Sequence, residues 1–302
     1  MKIKKSREPI GKISFKDKIG IIGGKGVMGQ WLEHFFKKSG FSVEISDIDS
    51  PFSNEQITQM CRIIILSTPL NQALKISEQI GKLLKKNQIL MDICSQKEDI
   101  LKAMVKNSIC EVVGTHPMFG PTITSVKNQN IVLCRGRGDL GFSWIKRLFT
   151  SAGAVVSVLK ADEHDKHMAI VQSLTHFLSI CFARTLQKMK IHPKDLFKTS
   201  TPVFKINSDI TGRLFAQDPY LYATLIGSNR YAGKCLQLFS ESFRETGHKL
   251  LMEGQQDNQQ DNQQDNHDEV AAEYIAKIGA FLGPYKEEAM ERSNKFLDII
   301  FE

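Results

Sequence analysis

The sequence lacks the closely spaced cysteines that mark a disulfide framework or a zinc site. Its six cysteines stand far apart along 302 residues, and no Cys-x-x-Cys spacing occurs. Most of them lie in apolar runs, which is typical of buried free thiols in a reducing compartment. His164 and His167 are close in sequence, but no third ligand accompanies them, so we predict no metal site. These absences favour a cytoplasmic protein that depends neither on disulfides nor on a metal.

Long apolar runs and concentrated positive charge are also missing. No uninterrupted apolar run reaches the roughly 18 residues that a membrane-spanning helix needs. No apolar core follows the basic N-terminus, so a signal peptide is not expected. The net charge is +7, yet beyond that N-terminus Lys and Arg are scattered among acidic residues, whereas proteins that bind nucleic acid concentrate them in a stripe. We therefore expect neither a membrane nor nucleic acid as a partner, but an anionic small molecule.

Residues 18–160 alternate short apolar strands with helical periodicity. Ile19–Ile22 predicts a buried strand, apolar residues from Trp31 to Phe36 recur at helical spacing, and 41–45 predicts a second strand. Parallel strands joined by a helix form the crossover unit of an α/β protein. The alternation continues, with further strands predicted at 62–66, 89–93, 111–114, 131–134 and 154–159. The pattern predicts a Rossmann-like, doubly wound, mostly parallel sheet that forms a dinucleotide-binding domain.

From residue 161 to residue 302 the strand pattern disappears, which predicts an all-α second domain that binds substrate. Its first segment, from 161 to 189, predicts one long amphipathic helix with a wide apolar arc. A wide arc suits burial against a second copy as well as against the domain's own core. We therefore expect a homodimer through this domain.

Two stretches are polar enough that we expect no fixed structure in them. Residues 1–17 are mostly polar and basic, and we predict a flexible lead-in. Residues 255–266 repeat the tetrad QQDN three times and contain no apolar residue. Such a segment cannot offset the entropy that it would lose on ordering, so we predict a disordered loop between two helices.

The stretch GKGVMG follows the first predicted strand and opens the first predicted helix. It matches the G-x-G-x-x-G fingerprint through Gly24, Gly26 and Gly29. We assign Gly24 to the tight turn, Gly26 to the close approach of a pyrophosphate at the helix N-terminus, and Gly29 to helix–strand packing. Asp47 ends the second strand, where a carboxylate accepts ribose hydroxyls and repels a 2′-phosphate, which favours NAD over NADP. Thr68 ends the next strand and is expected to line the same cleft. The alternative for the whole GKGVMG stretch is a glycine-rich turn that binds no ligand.

The stretch GTHPMFGP holds His116 directly after the strand predicted at 111–114. Its prolines and glycines predict a rigid loop at the edge of the sheet where parallel strands end and ligands bind. His116 is therefore our candidate catalytic residue, and a solvent-facing turn histidine is the alternative. Ser95 ends another strand at the same edge. It is either only the N-cap of the next helix, in a capping box with Glu98, or also an active-site contact.

The helical domain offers two further candidates for substrate binding. One arc of the long helix is mostly polar, and at 100° per residue it holds His164, Met168, Gln172, Thr175, His176 and Ser179. Such an arc suits the wall of a wet cleft, and a solvated surface stripe is the alternative. Arg213 follows a glycine in TGRLFAQDPYLYATLI, and its guanidinium fork suits a carboxylate, with a surface ion pair as the alternative.

Together these motifs resemble the prephenate dehydrogenase family of tyrosine biosynthesis. The resemblance covers about residues 18–300 and rests on GGKGVMG (23–29), THPMFGP (115–121), EHD (163–165), QSLTHF (172–177), TSTPVF (199–204) and GRLFAQDPYLYA (212–223). It is closest to the dehydrogenase part of the bifunctional chorismate mutase–prephenate dehydrogenases. Only 17 residues precede the predicted dinucleotide-binding domain, so a mutase domain is not expected, and the QQDN repeat is not a feature of the family.

The resemblance implies the oxidative decarboxylation of prephenate to 4-hydroxyphenylpyruvate, with hydride transfer from C4 to NAD+. His116 matches the catalytic histidine, whose neutral ring accepts a hydrogen bond from the C4 hydroxyl. Activity would then fall below a pKa near about 6.5 if that pKa is unperturbed. Arg213 matches the arginine that binds prephenate, and the two side chains are expected to converge on a bound nicotinamide. His176, Gln172 and Ser95 match positions near the substrate.

Three other functions stay open at this point. Arogenate dehydrogenase shares the fold and the chemistry but takes the amino analogue of the pyruvyl side chain. Another NAD-dependent dehydrogenase of small hydroxy acids is less compatible with the GRLFAQD segment. A non-catalytic NAD-binding regulator predicts the loss of His116 or Arg213, and both are present.

Overall fold

The chain folds into two compact units. The structure is a computed structural model that describes residues 13–251 and 263–301. The units are Met1–Val171 and Gln172–Glu302. The division lies inside the helix that begins at Ala161, later than the boundary that we predict at residue 160. It lies later because the first turns of that helix bury His164 and Met168 within the first unit.

A seven-stranded sheet forms the centre of the first unit. Its strands are β1 (Ile19–Ile22), β2 (Val43–Ser46), β3 (Ile63–Leu66), β4 (Ile89–Asp92), β5 (Glu111–Pro117), β6 (Asn130–Arg137) and β7 (Val155–Leu159). They lie in the order β2-β1-β3-β4-β5-β6-β7. All neighbouring strands are parallel except β5 and β6. The predicted doubly wound, mostly parallel sheet is therefore confirmed.

The central strands are apolar on both faces because helices cover both faces. Along β3, Ile63 and Ile65 belong to one buried cluster, while Ile64 and Leu66 belong to another. This alternation follows from the two-residue period of a strand, which sends successive side chains to opposite faces. Burial of each such side chain contributes about 1.5–3 kcal/mol. The carboxyl ends of these strands are thereby held as a rigid edge.

Helices α1–α6 complete the first unit. They are α1 (Val27–Lys38), α2 (Asn54–Met60), α3 (Leu70–Gly81), α4 (Glu98–Asn107), α5 (Leu140–Ser151) and α6 (Ala161–Met168). Helix α2 is absent from our prediction, although a capping box marks its start. The Ser53 hydroxyl accepts from the Gln56 backbone N–H, and the Gln56 side chain accepts from the Ser53 N–H. The S-x-x-Q spacing was the signal in the sequence.

The second unit is all-α over its described residues, as predicted. Its helices are α7 (Thr175–Met189), α8 (Pro193–Leu196), α9 (Pro202–Phe215), α10 (Pro219–Gly227), α11 (Ala232–Leu251), α12 (Gln263–Leu282) and α13 (Tyr285–Phe301). Thr201 caps α9 and Asp218 caps α10, and each helix begins with a proline. A capping side chain followed by proline is a strong start signal because proline lacks the N–H that would stay unpaired there.

A π-helical turn, Ala169–Leu174, connects α6 to α7. The segment from Ala161 to Met189 is thus one long helix, as predicted, but with a wide turn in the middle. A wide turn changes the angular position of every residue after it. The polar arc predicted at 100° per residue is therefore wrong: His164 and Met168 are buried in the first unit, whereas Thr175 of the second unit is exposed.

By length and composition alone, the helix Ala161–Met189 could also cross a membrane; its most apolar window has a mean hydropathy of 1.2. This is weak support for a membrane span, because core helices of soluble proteins have the same composition. Its first turns carry His164 and Asp165 into the packed first unit.

Both stretches that we predict to lack structure lie partly outside the described residues, which exclude 1–12 and 252–262. Residues 13–17 form a turn in which the Asp17 N–H donates to the Ser14 carbonyl at 3.0 Å. An ion pair between Asp17 and Arg62 at 3.0 Å holds this turn to the sheet. At the other stretch, residues 263–266 start α12. The last QQDN tetrad is helical because glutamine is a good helix former and no proline interrupts it.

Candidate active site

A large cleft lies where the strand order reverses, between β1 and β3. In a doubly wound sheet this switch point, beyond the carboxyl ends of the strands, is where ligands bind. The cleft has a volume of about 1060 Å³. Its lining includes Gly26 of the glycine loop, Asp47 after β2 and Thr68 after β3. Three of the residues that we assign to the cofactor therefore line one cleft.

The glycine loop uses its glycines somewhat differently from our prediction. Gly23, not Gly24, has the left-handed backbone conformation, with φ +86. A Cβ on Gly24 would lie 2.5 Å from the Cβ of Ile45, so its hydrogen lets the loop pack on β2. A Cβ on Gly29 would lie 2.3 Å from the Gly23 carbonyl oxygen, which only glycine permits. Gly26 is the N-cap of α1. A Cβ on Gly26 would meet only the Gly23 carbonyl oxygen, at 3.3 Å, so the space beside it is open.

The polar groups around this cleft fit a dinucleotide. The hydroxyls of Ser67 and Thr68 are buried without a hydrogen-bond partner among the described residues, and both residues line the cleft. Buried hydroxyls without partners are costly unless a ligand satisfies them. Asp47 is oriented by two backbone donors, the Lys25 N–H at 2.7 Å and the Ile48 N–H at 2.8 Å. A carboxylate keeps further lone pairs for a ribose diol.

His116 lies in a strand and not in a loop, which corrects our prediction. Strand β5 continues to Pro117, and His116 pairs with Val132 of the antiparallel strand β6. The side chain is only 3% exposed. Burial lowers the pKa of His116 well below its usual value, and the electrostatic interactions with His164 and with Lys97 lower this pKa further. The ring is therefore neutral over the physiological pH range.

A chain of hydrogen bonds orients the His116 ring. Its Nδ1 lies 2.9 Å from Nε2 of His164, and Nδ1 of His164 lies 2.7 Å from Oδ1 of Asp165. The carboxylate can only accept, so Nδ1–H of His164 donates to it, and Nε2 of His164 then accepts from Nδ1–H of His116. This order assigns Nε2 as the acceptor nitrogen of the neutral His116 ring.

Asp165 also determines where helix α4 begins. Its carboxylate accepts the backbone N–H of Lys97 at 2.7 Å and that of Glu98 at 2.9 Å. Ser95 is therefore not the N-cap that we predict. Helix α4 begins at Glu98, and the Asp165 carboxylate accepts the backbone N–H groups at its start. Ser95 is half-buried between β4 and α4.

A buried ion pair lies close enough to affect His116. Lys97 and Asp92 both have 0% exposure, and the Lys97 ammonium donates to Oδ2 of Asp92. Burial raises the pKa of Asp92, while the Lys97 charge acts in the opposite direction. The Lys97 charge also disfavours a second positive charge on the nearby His116.

The second unit contains a separate cluster around Tyr222 of α10. The His176 ring packs edge-on against the Tyr222 ring, with centroids 4.8 Å apart. Gln217 donates to the Tyr222 hydroxyl at 2.7 Å. Arg213 lies close enough for its charge to act on Tyr222, whose pKa burial raises. The guanidinium of Arg213 has no ion pair within residues 13–251 and 263–301, so the alternative of a surface ion pair is not met there.

Gln172 is half-buried in the π-helical turn of the same unit. The neighbouring Ser173 hydroxyl donates to the Leu225 carbonyl of α10 at 3.2 Å, which ties this turn to the helix that carries Tyr222. Burial lowers the pKa of His176. The predicted substrate contacts thus fall into two groups: Ser95 in the first unit, and Gln172, His176 and Arg213 in the second.

Comparison with protein families accounts for both units. Residues 32–158 match the model described as prephenate dehydrogenase, nucleotide-binding domain, and residues 160–273 match that described as prephenate dehydrogenase, dimerization domain. The chain belongs to the prephenate dehydrogenase family. The resemblance that its motifs carry is thereby confirmed.

Curated relatives include bacterial and archaeal members of this family. The T-protein of Haemophilus influenzae is 34% identical over 209 residues, which are 69% of this chain and 55% of that protein. The probable arogenate/prephenate dehydrogenase of Methanocaldococcus jannaschii is 32% identical over 227 residues, 68% of this chain and 51% of that protein. The chain therefore spans little more than half the length of these relatives.

A solved prephenate dehydrogenase shares the fold. The crystal structure of the enzyme from A. aeolicus, in complex with hydroxyphenyl propionate and NAD+, has a TM-score of 0.70. Its sequence is 19% identical, and the alignment covers 93% of this chain and 99% of that one.

Sequence reasoning about this prephenate dehydrogenase family member missed three residues of the site. Asp165 stands beside His164 in the EHD motif, but its contact with α4 spans distant parts of the chain. Asp92 ends an apolar strand, and a carboxylate in that position was a usable signal. Nothing in the sequence marks Lys97 as buried, because lysine is almost never buried without a partner.

Proposed function

We propose that this chain is an NAD-dependent prephenate dehydrogenase that converts prephenate to 4-hydroxyphenylpyruvate by oxidative decarboxylation, in tyrosine biosynthesis. The observation that carries the proposal is the buried, neutral His116, whose Nδ1 is held by His164. A neutral imidazole with a defined acceptor nitrogen is what the oxidation of a hydroxyl requires.

His116 is the proposed catalytic residue. Its Nε2 accepts a hydrogen bond from the C4 hydroxyl of prephenate. As the hydride leaves C4, positive charge develops on the C4–OH group, and this hydrogen bond stabilises it. His164 and Asp165 hold the ring in one tautomer, so that no reorientation is needed in the transition state. Loss of the ring carboxylate as CO2 makes the product aromatic, which supplies the driving force.

Arg213 is the proposed substrate-binding residue. Its guanidinium, which has no ion pair in the described residues, suits one of the two carboxylates of prephenate. His176 and Gln172, and Ser95 of the first unit, are proposed to contact the substrate less directly. Tyr222 supports His176 through ring packing.

NAD is the proposed cofactor, and when bound it supplies the hydride acceptor. Gly26 would face the pyrophosphate, since its side is open toward the cleft. Asp47 would accept the ribose hydroxyls, and its charge disfavours the 2′-phosphate of NADP. The hydroxyl of Thr68 lines the same cleft and offers a polar contact.

The proposed assembly is a homodimer through the helical unit, which the match to a dimerization domain supports. The proposed location is the cytoplasm, where six free cysteines are stable. Neither nucleic acid nor a membrane is proposed as a partner, and no group of three or more metal-ligating side chains occurs among the described residues.

The direct test is NADH formation from prephenate and NAD+ by the parent chain and by two variants. His116→Asn should lower kcat by at least about 100-fold with little change in prephenate binding, because general base catalysis contributes on that scale. Arg213→Ala should mainly raise KM, because it removes a contact made in both the ground state and the transition state.

Normal turnover by His116→Asn would contradict the mechanism. The same assay with arogenate compares the two substrates: faster turnover of arogenate than of prephenate would assign the chain to arogenate dehydrogenase. Binding of NAD+ without turnover of either substrate would instead indicate a regulator.

A further inference from the structure

Lys25 connects two loops that meet at the adenosine end of the proposed dinucleotide cleft. It stands in the glycine loop, and its backbone N–H donates to Oδ2 of Asp47 at 2.7 Å. Its ammonium reaches across to the loop after β2 and donates to the carbonyls of Ile48 at 3.1 Å and Asp49 at 2.7 Å. Lys25, Asp47 and Ile48 all line the cleft.

The loop that Lys25 holds contains a turn at Ile48 and Asp49. Asp49 has a left-handed backbone, with φ 58. Few residues other than glycine adopt this conformation, and aspartate is one of those that do so most readily. The carbonyl of this residue is one of the two that the Lys25 ammonium binds. The same loop contains the Ile48 N–H that orients Oδ1 of Asp47 at 2.8 Å.

We infer that Lys25 is a positioning residue that sets the preference for NAD over NADP by holding the Asp47 loop. This inference deepens the proposed function and rests on it. NAD presents a ribose diol that an oriented carboxylate can bind, whereas NADP presents a phosphate that this carboxylate repels. A loop that fixes Asp47 therefore benefits NAD, and NADP gains nothing from it.

A lysine in this position has a second way to affect the choice between NAD and NADP, and the test must distinguish the two. A lysine that bound the 2′-phosphate directly would favour NADP, and its removal would increase the preference for NAD. Two of the three ammonium donors of Lys25 are already used by carbonyls of its own chain. The geometry therefore points to positioning of Asp47 and not to direct binding of the phosphate, so removal of Lys25 should decrease the preference for NAD.

The test is the dissociation constant of NAD+ and of NADP+, measured by titration calorimetry without substrate. Lys25→Met should weaken NAD+ binding about tenfold and NADP+ binding less, because two charge-assisted hydrogen bonds that hold the loop are lost. Lys25→Arg can donate to the same two carbonyls and should keep the ratio of the two constants within about threefold of the parent. Lys37→Met removes the same charge from the surface of α1, where Lys37 pairs with Glu33, and should leave both constants unchanged.

A double-mutant cycle shows whether Lys25 acts through Asp47. In an Asp47→Ala background, Lys25→Met should change the NAD+ constant by less than about threefold, because the residue that it positions is already gone. An unchanged or increased preference for NAD in Lys25→Met would overturn the inference while leaving the proposed function intact. Absence of binding of either dinucleotide to the parent chain would overturn both.

Discussion

At the scale of single residues, the neutrality of His116 is decided by its surroundings. Burial is the main cause of its lowered pKa, and the electrostatic interactions with His164 and with Lys97 act in the same direction. A histidine on an exposed loop would keep a pKa near its usual value and would be partly protonated at neutral pH. The interior position in β5 thus gives the ring the protonation state that the proposed reaction needs.

The pH dependence of kcat follows from this shift. The active form of His116 is neutral, and a lower pKa lets the neutral form persist to lower pH. The acid limb of the kcat profile should therefore lie below pH 6.5, the usual pKa of histidine. Steady-state assays across the acid range measure it, with His167→Gln as a control that removes an exposed histidine of α6. A limb centred at or above pH 6.5 would contradict the assigned environment.

The hydrogen bond from His116 to His164 can be tested by comparing two substitutions. His164→Leu removes the acceptor for Nδ1–H of His116, so the ring loses its fixed tautomer, and kcat should fall roughly tenfold or more. His164→Asn offers an amide oxygen as acceptor and should retain more activity than the leucine variant. The KM for NAD+ should change little in both. Equal kcat values for the two variants and the parent would show that His164 has no positioning role.

At the scale of elements, contacts between distant segments move the ends of helices and strands. Strand β5 extends over His116 and Pro117 because β6 pairs with it in antiparallel register. Helix α4 begins at Glu98 because Asp165, on another helix, accepts its first N–H groups. Local residue preferences predict neither boundary, since both depend on a partner far away in sequence.

The glycine loop gives a prediction at this scale. Gly29→Ala places a Cβ 2.3 Å from the Gly23 carbonyl oxygen, so the loop and α1 must move apart. We expect a loss of about 1–3 kcal/mol in the free energy of unfolding, as for other overpacked sites, together with weaker NAD+ binding. Thermal unfolding and a nucleotide titration measure the two effects.

The matched control is Gly247→Ala in α11, where a Cβ would meet nothing within 4 Å. Alanine is the better helix former by roughly 0.5–1 kcal/mol, so this variant should be as stable as the parent or more stable. If both alanine variants unfolded like the parent, close packing at Gly29 would not be the reason for its glycine.

At the scale of the whole molecule, the helical unit exposes several large apolar side chains. They include Leu178, Val203, Ile210, Phe215, Leu238 and Phe243. All of them lie within residues 160–273, the range that matches the dimerization domain. Burial of such side chains against a second copy would supply the apolar contact area that a protein interface needs.

The proposed dimer predicts a specific effect of one charge in that surface. Phe243 is 69% exposed on α11, and Phe243→Asp should raise the dissociation constant of the dimer by at least about 100-fold, because an aromatic side chain contributes several kcal/mol when it is buried at an interface. Analytical ultracentrifugation measures this constant. Ile109→Asp, at a position that is 61% exposed in the first unit, is the control that should leave the dimer intact.

The sequence by itself determined the class of the fold, and it supplied the candidate residues of the proposed site. Local patterns depend only on residues that are close together in the sequence. Three features are of this kind: the alternation of strands and helices, the G-x-G-x-x-G stretch, and the position of Asp47 at a strand end. His116 and Arg213 stood out for the same reason, because each lies in a long family-specific motif.

Only the tertiary structure decided the protonation states and the orientations of these side chains. The contact of Asp165 with α4, the hydrogen bond between His164 and His116, and the burial of Lys97 with Asp92 all join segments that are remote in the chain. The π-helical turn likewise altered which side chains of the long helix share a face. Protonation states and side-chain orientation depend on what surrounds a group in space, and a linear pattern carries no information about that surrounding.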